Sequence, residues 1–178
     1  MKKILMIICL MLSSVSMFAE QGDAWVGVNV MNVGMNSNYV NLGFGAKIQY
    51  EPLKNIRGEA SFNYFLKKDY HTMWDVNLNV HYLFHFGQLT VYPLVGGGLM
   101  DRTYEDTYVP YGIDESGQVK VINLGGDYLS DRYLGANAGA GVEYPVNDWL
   151  KVNAEVKVQF VQHHDVRPVA SVGVSVKL

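Results

Sequence analysis

The sequence predicts an all-β fold, an eight-stranded antiparallel up-and-down transmembrane β-barrel with a polar interior. Three observations support this prediction. Apolar and polar residues alternate with period two in segment after segment, which is the pattern of β-strands with two different faces. The connections between these segments alternate between short and long. The apolar face carries aromatic residues near the segment ends, whereas the polar face carries many glycines.

Composition and charge exclude several classes of protein. The chain has 178 residues, with 14 Lys and Arg against 17 Asp and Glu and a net charge of −3, and this length suits one domain. Its 7 Phe, 3 Trp and 12 Tyr residues are too many for a disordered chain. The isoelectric point near 5.9 argues against nucleic-acid binding, which needs clustered Lys and Arg. No run of about 18 apolar residues occurs, so no ordinary transmembrane helix is predicted.

Residues 1–19 have the pattern of a secretory signal peptide. Lys2 and Lys3 precede an apolar run over residues 4–12, and small residues lead to Ala19, after which we expect cleavage. The single cysteine, Cys9, lies inside this segment. The predicted mature domain, residues 20–178, therefore enters an oxidising compartment without a disulfide.

Eight segments of the mature chain alternate in this way, and residues 74–86 show it most clearly. A helix would repeat its apolar positions every three or four residues, so these segments are predicted strands. In residues 74–86, one face carries Trp74, Val76, Leu78, Val80, Tyr82 and Phe84, and the other carries Asp75, Asn77, Asn79, His81 and His85. The eight predicted segments are 26–30, 40–50, 56–66, 74–86, 89–100, 134–144, 150–160 and 172–178.

The connections predict how the barrel sits in its membrane. Short turns follow the second, fourth and sixth segments, at residues 51–55, 86–88 and 145–148. The other connections are 34–38, 67–72, 101–132 and 161–167, one of which is very long. Short turns at one rim and longer loops at the other are typical of outer-membrane barrels, with the short turns in the periplasm.

The two faces decide between a membrane barrel and a soluble lipocalin-like barrel, whose interior would be apolar. The polar face carries five glycines, which weaken strands on an exposed surface but leave room inside a narrow barrel. The aromatic residues of the apolar face would form girdles at the two membrane interfaces. The glycines are Gly43, Gly45, Gly139, Gly141 and Gly173, and the aromatic residues are Tyr50, Trp74, Tyr82, Phe84, Tyr144 and Trp149.

These features together resemble a known family. The signal peptide, the eight alternating strands, the Gly-Xaa-Gly pairs Gly43/Gly45 and Gly139/Gly141 and the final strand over 172–178 resemble the small outer-membrane β-barrel proteins, the OmpA-type transmembrane domain and OmpX-type group of Gram-negative bacteria. The resemblance implies a cell outer-membrane location, contact with outer-membrane lipid and insertion by the barrel-assembly machinery. Many members end in an aromatic residue read by that machinery, whereas this chain ends in Leu178.

Charged residues on the polar face are predicted to form an ion-pair network that fills the lumen, because an isolated buried charge is very unfavourable. The alternative is a narrow, porin-like conduction path. An eight-stranded barrel is just wide enough for its own side chains, so general diffusion is not expected. The predicted luminal residues are Lys47, Arg57, Glu59, Asp75, His81, Glu143, Glu155 and Lys157, with His85, Lys151 and Lys177 on the same face.

The histidines bear on enzymatic and metal functions. Some lipid A-modifying barrels that resemble this chain pair a histidine with a serine two residues later, and none of the five histidines here has that serine. His163, His164 and Asp165 could bind a transition metal, but adjacent side chains usually point apart and loop histidines are commonly solvated. We predict no enzyme activity, no cofactor and no metal site. The remaining histidines are His71, His81 and His85.

The connection over residues 101–132 is the candidate interaction site. Seven acidic against three basic residues give it a net charge of −4, and loops this long without a function are uncommon. Its tyrosines offer contact area with a polar group. We predict a structural or surface-interaction module that contacts an extracellular protein or glycan, and the alternative is a merely solvated loop. The flanking strands could also continue into this connection as a protruding hairpin, with residues 119–124 as one arm. The tyrosines are Tyr104, Tyr108, Tyr111 and Tyr128.

Overall fold

The structure is a computed structural model that describes residues 22–36, 39–68, 71–105, 111–113, 119–121, 128–162 and 165–178. The described part of the chain is almost entirely β-strand. Its strands are β1 (Asp23–Asn36), β2 (Tyr39–Leu53), β3 (Ile56–Lys68), β4 (His71–Tyr82), β5 (Phe84–Phe86), β6 (Leu89–Glu105), β7 (Tyr111–Ile113), β8 (Val119–Val121), β9 (Tyr128–Pro145), β10 (Leu150–Val161) and β11 (Asp165–Lys177). No helix in these ranges is long and apolar enough to cross a membrane.

The strands close into one antiparallel barrel. Within the barrel, neighbouring strands pair in the order β4, β3, β2, β1, β11, β10, β9 and β6, and the pairing of β4 with β6 closes the ring. β4 and β5 both pair with β6 and together count as one strand of the barrel, whereas β7 and β8 pair only with each other. The barrel therefore has eight strands. The predicted eight-stranded up-and-down barrel is confirmed. Closure leaves no unpaired sheet edge.

The alternation of the sequence becomes an inside and an outside. Along β10, buried and exposed side chains alternate at nearly every residue. Outward side chains are apolar and remain accessible, as for Leu78 (67% exposed) and Val95 (62%). Outward aromatic rings contact one another, with ring centroids 6.2 Å apart for Phe62 and Trp74. The inward residues are mainly polar or glycine, as the sequence predicts.

The two ends of the barrel differ. The turns at residues 54–55, 87–88 and 146–149 lie at one end with residues 22 and 178, and we call it the turn end. The opposite end, called the loop end, carries the other connections. At the turn end, Gly87 adopts a positive φ of 64°, a conformation that glycine reaches without a steric penalty.

Three features differ from simple alternation. In β1 the pairing shifts between Asn29 and Asn32, so that Val30 and Met31 are both outward and exposed; this is a β-bulge. Between β4 and β5, Leu83 leaves the ladder, and its N–H donates to the carbonyl of Asn55 at 2.8 Å.

The third feature is the extension of β6 and β9 into the predicted 101–132 loop, with paired residues as far as Glu105 and Tyr128. The loop is therefore shorter than 101–132, as in the sequence-based alternative in which the strands continue into it as a hairpin. Within it, β7 pairs with β8 (Val119–Val121), which covers the first half of the predicted arm over 119–124, and residues 122–124 lie outside the described residues.

Candidate functional site: the barrel interior

An ion cluster occupies the lumen near the turn end. The guanidinium of Arg57 donates to both carboxylate oxygens of Glu143, at 2.7 and 2.5 Å, and its Nε donates to Glu51 at 2.9 Å. Lys151 lies 3.3 Å from Glu143 and 3.5 Å from Glu51, and its ammonium lies 4.1 Å from the ring centroid of Trp25. Two cations thus face two carboxylates, which is the arrangement that makes buried charge tolerable.

A second group lies in the middle of the lumen. Single ligand atoms of Glu59, His81 and Glu155 all lie within 4.8 Å of one another, although the three residues belong to β3, β4 and β10. The ammonium of Lys47 lies 3.9 Å from Glu59, and that of Lys157 lies 3.6 Å from Glu155. These ion pairs are longer than those of Arg57, and His81 forms none.

A third group lies towards the loop end. Arg167 donates to Asp75 at 3.4 Å and to the amide oxygen of Gln159 at 3.0 Å. Asp75 also accepts hydrogen bonds from the amides of Asn63 and Asn77, at 2.7 and 2.6 Å. Beside Asn77 and Gln159, a cavity of about 10 Å³ has room for on the order of one water molecule.

Apolar side chains form two buried clusters in the barrel interior. At the loop end, Phe65, Met73, Met100, Val161 and Val169 form a buried cluster. Towards the turn end, Leu83, Tyr92 and Leu94 form another. Leu83, Tyr92 and Leu94 belong to the adjacent β4–β5 and β6 wall, and Tyr92 stacks on His81, so this cluster lies beside the polar groups of the lumen.

All eight luminal residues proposed from the sequence are buried in the barrel interior. Arg57 and Glu143 share one ion cluster, whereas Asp75 lies in a separate group at the other end of the lumen. Among the additional residues of that face, Lys151 is buried, but His85 and Lys177 are accessible at the turn end. The eight buried residues are Lys47, Arg57, Glu59, Asp75, His81, Glu143, Glu155 and Lys157.

Sequence reasoning missed three residues of these clusters: Glu51, Tyr92 and Arg167. Glu51 was assigned to a turn and Arg167 to a loop, although both continue the alternation of their strands. Tyr92 precedes the glycines of β6, which have no side chain and so leave the inward and outward positions of that strand unassigned. Its ring stacks on His81 with centroids 4.7 Å apart, and its hydroxyl donates to Glu155 at 3.4 Å.

The candidate surface residues lie largely outside the described residues. Tyr108, His163 and His164 fall in undescribed ranges. For Tyr104, Tyr111, Tyr128, His71 and Asp165, the structure describes the backbone as strand and not the side chain. The predicted tyrosine contacts and the His163/His164/Asp165 group therefore stay predictions, as does the signal peptide over residues 1–19.

With the closed barrel and its two faces established, comparison with known proteins identifies the family. Residues 5–176 match the family described as outer membrane protein beta-barrel domain. The chain belongs to this outer-membrane β-barrel family. An outer-membrane location follows, and the exposed apolar outer face of the barrel has the pattern typical of outer-membrane barrels. No curated protein sequence matches the chain.

Solved structures with the same fold are small outer-membrane barrels. Ail, the attachment invasion locus protein of Yersinia pestis, superposes with a TM-score of 0.59 at 13% identity, covering 89% of this chain and 99% of Ail. The N-terminal β-barrel domain of Pseudomonas aeruginosa OprF gives 0.57 at 16% identity, covering 89% and 100%. Neisserial surface protein A gives 0.57 at 13% identity, covering 89% and 97%. At these identities the likeness concerns the fold.

Proposed function

We propose that this protein is a closed outer-membrane anchor that presents an acidic, tyrosine-rich hairpin for contacts outside the cell. The length of two strands carries the proposal: β6 has 17 residues and β9 has 18. A tilted strand crosses the hydrocarbon core with about 9–11 residues. The remaining residues of both strands extend the barrel wall beyond the membrane as far as the paired residues Glu105 and Tyr128.

The base of this hairpin is braced, which supports a presenting role. The carboxylate of Asp101 on β6 accepts hydrogen bonds from Ser130 on β9 at 3.0 and 2.9 Å. It also accepts one from the Nε of Arg132 at 3.0 Å. These bonds join the two strands across the rim, so the connection starts from a fixed platform.

The charge of the loop indicates the chemistry of its partner. Ail has been crystallised with the heparin analogue sucrose octasulfate, a polyanion. The 101–132 segment of this chain has a net charge of −4, which would repel such a ligand and attract a basic surface. We therefore propose a protein partner with a basic surface. The tyrosines of the loop would supply contact area against that surface.

A shortened hairpin tests the proposal. Glu105 and Tyr128 are paired residues, so residues 106–127 can be replaced by Asn-Gly, the preferred two-residue hairpin turn. Outer-membrane vesicles carrying this variant should keep the heat-dependent gel shift of the barrel but lose retention on immobilised basic matrix proteins. A variant with Tyr108→Ser and Tyr111→Ser, which keeps the loop charge, separates the tyrosines from the charge. Undiminished retention of the shortened barrel contradicts the proposal.

The narrow-pore alternative is tested separately. In planar bilayers, the ion pairs and apolar side chains packed in the lumen should hold the purified barrel closed, without conductance steps. Reproducible conductance steps whose size changes in the Arg57→Ala variant would favour a transport function over the anchor function. Unchanged lipid A acyl chains in cells with and without the protein would remove the remaining enzymatic alternative.

A further inference from the structure

His81 is the most unusual polar side chain in the lumen. Its side chain is fully buried, with 0% exposure, and neither ring nitrogen has a hydrogen-bond partner among the described residues. Leaving a buried polar group unpaired costs about 1–3 kcal/mol. The great majority of buried polar side-chain atoms are paired. An imidazole with two free nitrogens therefore needs an explanation.

The surroundings of His81 supply one. Glu59 and Glu155 converge on it from two other strands. One ligand atom from each of the three residues lies within 4.8 Å of the other two. We propose that Glu59, His81 and Glu155 form an interior binding site for a divalent transition-metal ion, with Zn²⁺ as the best match. One imidazole nitrogen and two carboxylate oxygens are ligands that Zn²⁺ accepts, with water in the fourth position.

Neighbouring side chains hold these ligands in place. The ring of Tyr92 stacks on His81 with an interplanar angle of 8°, and its hydroxyl contacts the carboxylate of Glu155. Gln49 donates to Glu59 at 2.8 Å. Partners that orient the ligands are a regular part of metal sites, and here they come from the packed interior of the barrel.

Two lysines compete with the metal ion for the carboxylates. Their removal should therefore change metal affinity in the direction opposite to removal of His81. Lys47 and Lys157 lie 3.9 and 3.6 Å from the carboxylates of Glu59 and Glu155, so the ion would enter a site already near two positive charges. Lys47 has another partner, since it donates to the amide oxygen of Asn153 at 2.7 Å. Removing the charge of Lys157 should therefore strengthen metal binding, whereas removing His81 should weaken it.

The experiment uses the full mature chain refolded into detergent micelles, with Zn²⁺ or Co²⁺ present during refolding so that barrel closure does not exclude the ion. Equilibrium dialysis measures Zn²⁺ stoichiometry and affinity, and the visible absorption of Co²⁺ reports coordination by nitrogen and oxygen. His81→Gln should weaken binding by at least about tenfold, because even losing a residue that orients a ligand costs ten- to a hundredfold. Lys157→Met should tighten it.

The matched control is His85→Gln, which removes an accessible histidine at the turn end and should leave the interior site unchanged. Circular dichroism and the heat-dependent gel shift establish that each variant is folded, and Glu155→Gln replaces His81→Gln if the latter does not fold. Zn²⁺ binding that is equal in wild type, His81→Gln and Glu155→Gln assigns the ion to surface histidines and overturns the proposal. Absence of bound ion after refolding with metal also overturns it.

Discussion

Two charged groups in the same lumen are built differently. Near the turn end, Arg57 and Lys151 face Glu143 and Glu51, and the guanidinium makes a two-pronged contact at 2.7 and 2.5 Å. In the middle, Glu59 and Glu155 face their lysines only at 3.9 and 3.6 Å, and the ring nitrogens of His81 between them have no hydrogen-bond partner among the described residues.

The difference shows that burial alone does not define the role of a luminal charge. A charge group whose members satisfy one another contributes to closing and stabilising the barrel. A group that leaves both nitrogens of a buried imidazole without hydrogen bonds can bind a further ligand, which we propose to be a metal ion. Substitutions in the two groups should therefore change the free energy of unfolding in opposite directions.

The largest effect is expected at the turn-end cluster. Arg57→Met leaves Glu143 and Glu51 with a single cation and should lower the free energy of unfolding by about 3–5 kcal/mol, as for other broken buried ion pairs. Urea unfolding of the barrel refolded in lipid vesicles measures this loss. Adding Glu143→Met should restore part of it, because the uncompensated carboxylate is gone. A loss below about 1 kcal/mol for Arg57→Met would show that the cluster is solvated.

A smaller loss is expected where the two groups meet at Tyr92. A Cβ at Gly141 would overlap the Tyr92 ring, so Gly141→Ala should destabilise the barrel by about 1–3 kcal/mol, the usual effect of overpacking. Gly58→Ala is the matched control, since its Cβ would meet no atom within 4 Å. The same urea titration compares them, and equal stability of both variants would mean that the ring can move aside.

The middle group should respond with the opposite sign. In metal-free protein, His81→Phe keeps an aromatic ring against Tyr92 and removes two unpaired nitrogens, so it should raise the free energy of unfolding by about 1 kcal/mol. The measurement is urea unfolding in the presence of a chelator. A clear loss of stability would show that the imidazole is paired in solution, and the contrast with Arg57 would fail.

The smallest effect is expected outside both groups. Lys177 and Asp23 form an ion pair 2.7 Å long at the turn end, with side chains 37% and 49% exposed. Lys177→Ala should change the free energy of unfolding by less than about 1 kcal/mol, because solvent screens exposed pairs. A change as large as that of Arg57→Met would indicate that this rim is shielded in the membrane.

The strands and their faces were predictable wherever alternation was unbroken. The predicted segment 150–160 corresponds to β10, Leu150–Val161. The bulge in β1 was not predictable, because Val30 and Met31 are apolar and give no local turn signal. The apolar layer at the loop end was missed for a related reason. Phe65 and Met73 are apolar residues on the polar face, so Met73 lies outside the predicted 74–86 segment, and Phe65 was not assigned to the inner face of 56–66.

By itself, the sequence determined that eight segments cross the barrel wall, which face of each regular segment points inward and that the outside is apolar, because period-two alternation is a local property of an extended chain. Only the tertiary structure decided which inward residues meet. Strand tilt and stagger set the height of each residue in a closed barrel, and contacts across the lumen join strands that are distant in sequence. Arg57 therefore reaches Glu143, and Glu59, His81 and Glu155 converge from three strands, through closure of the barrel rather than through any local pattern.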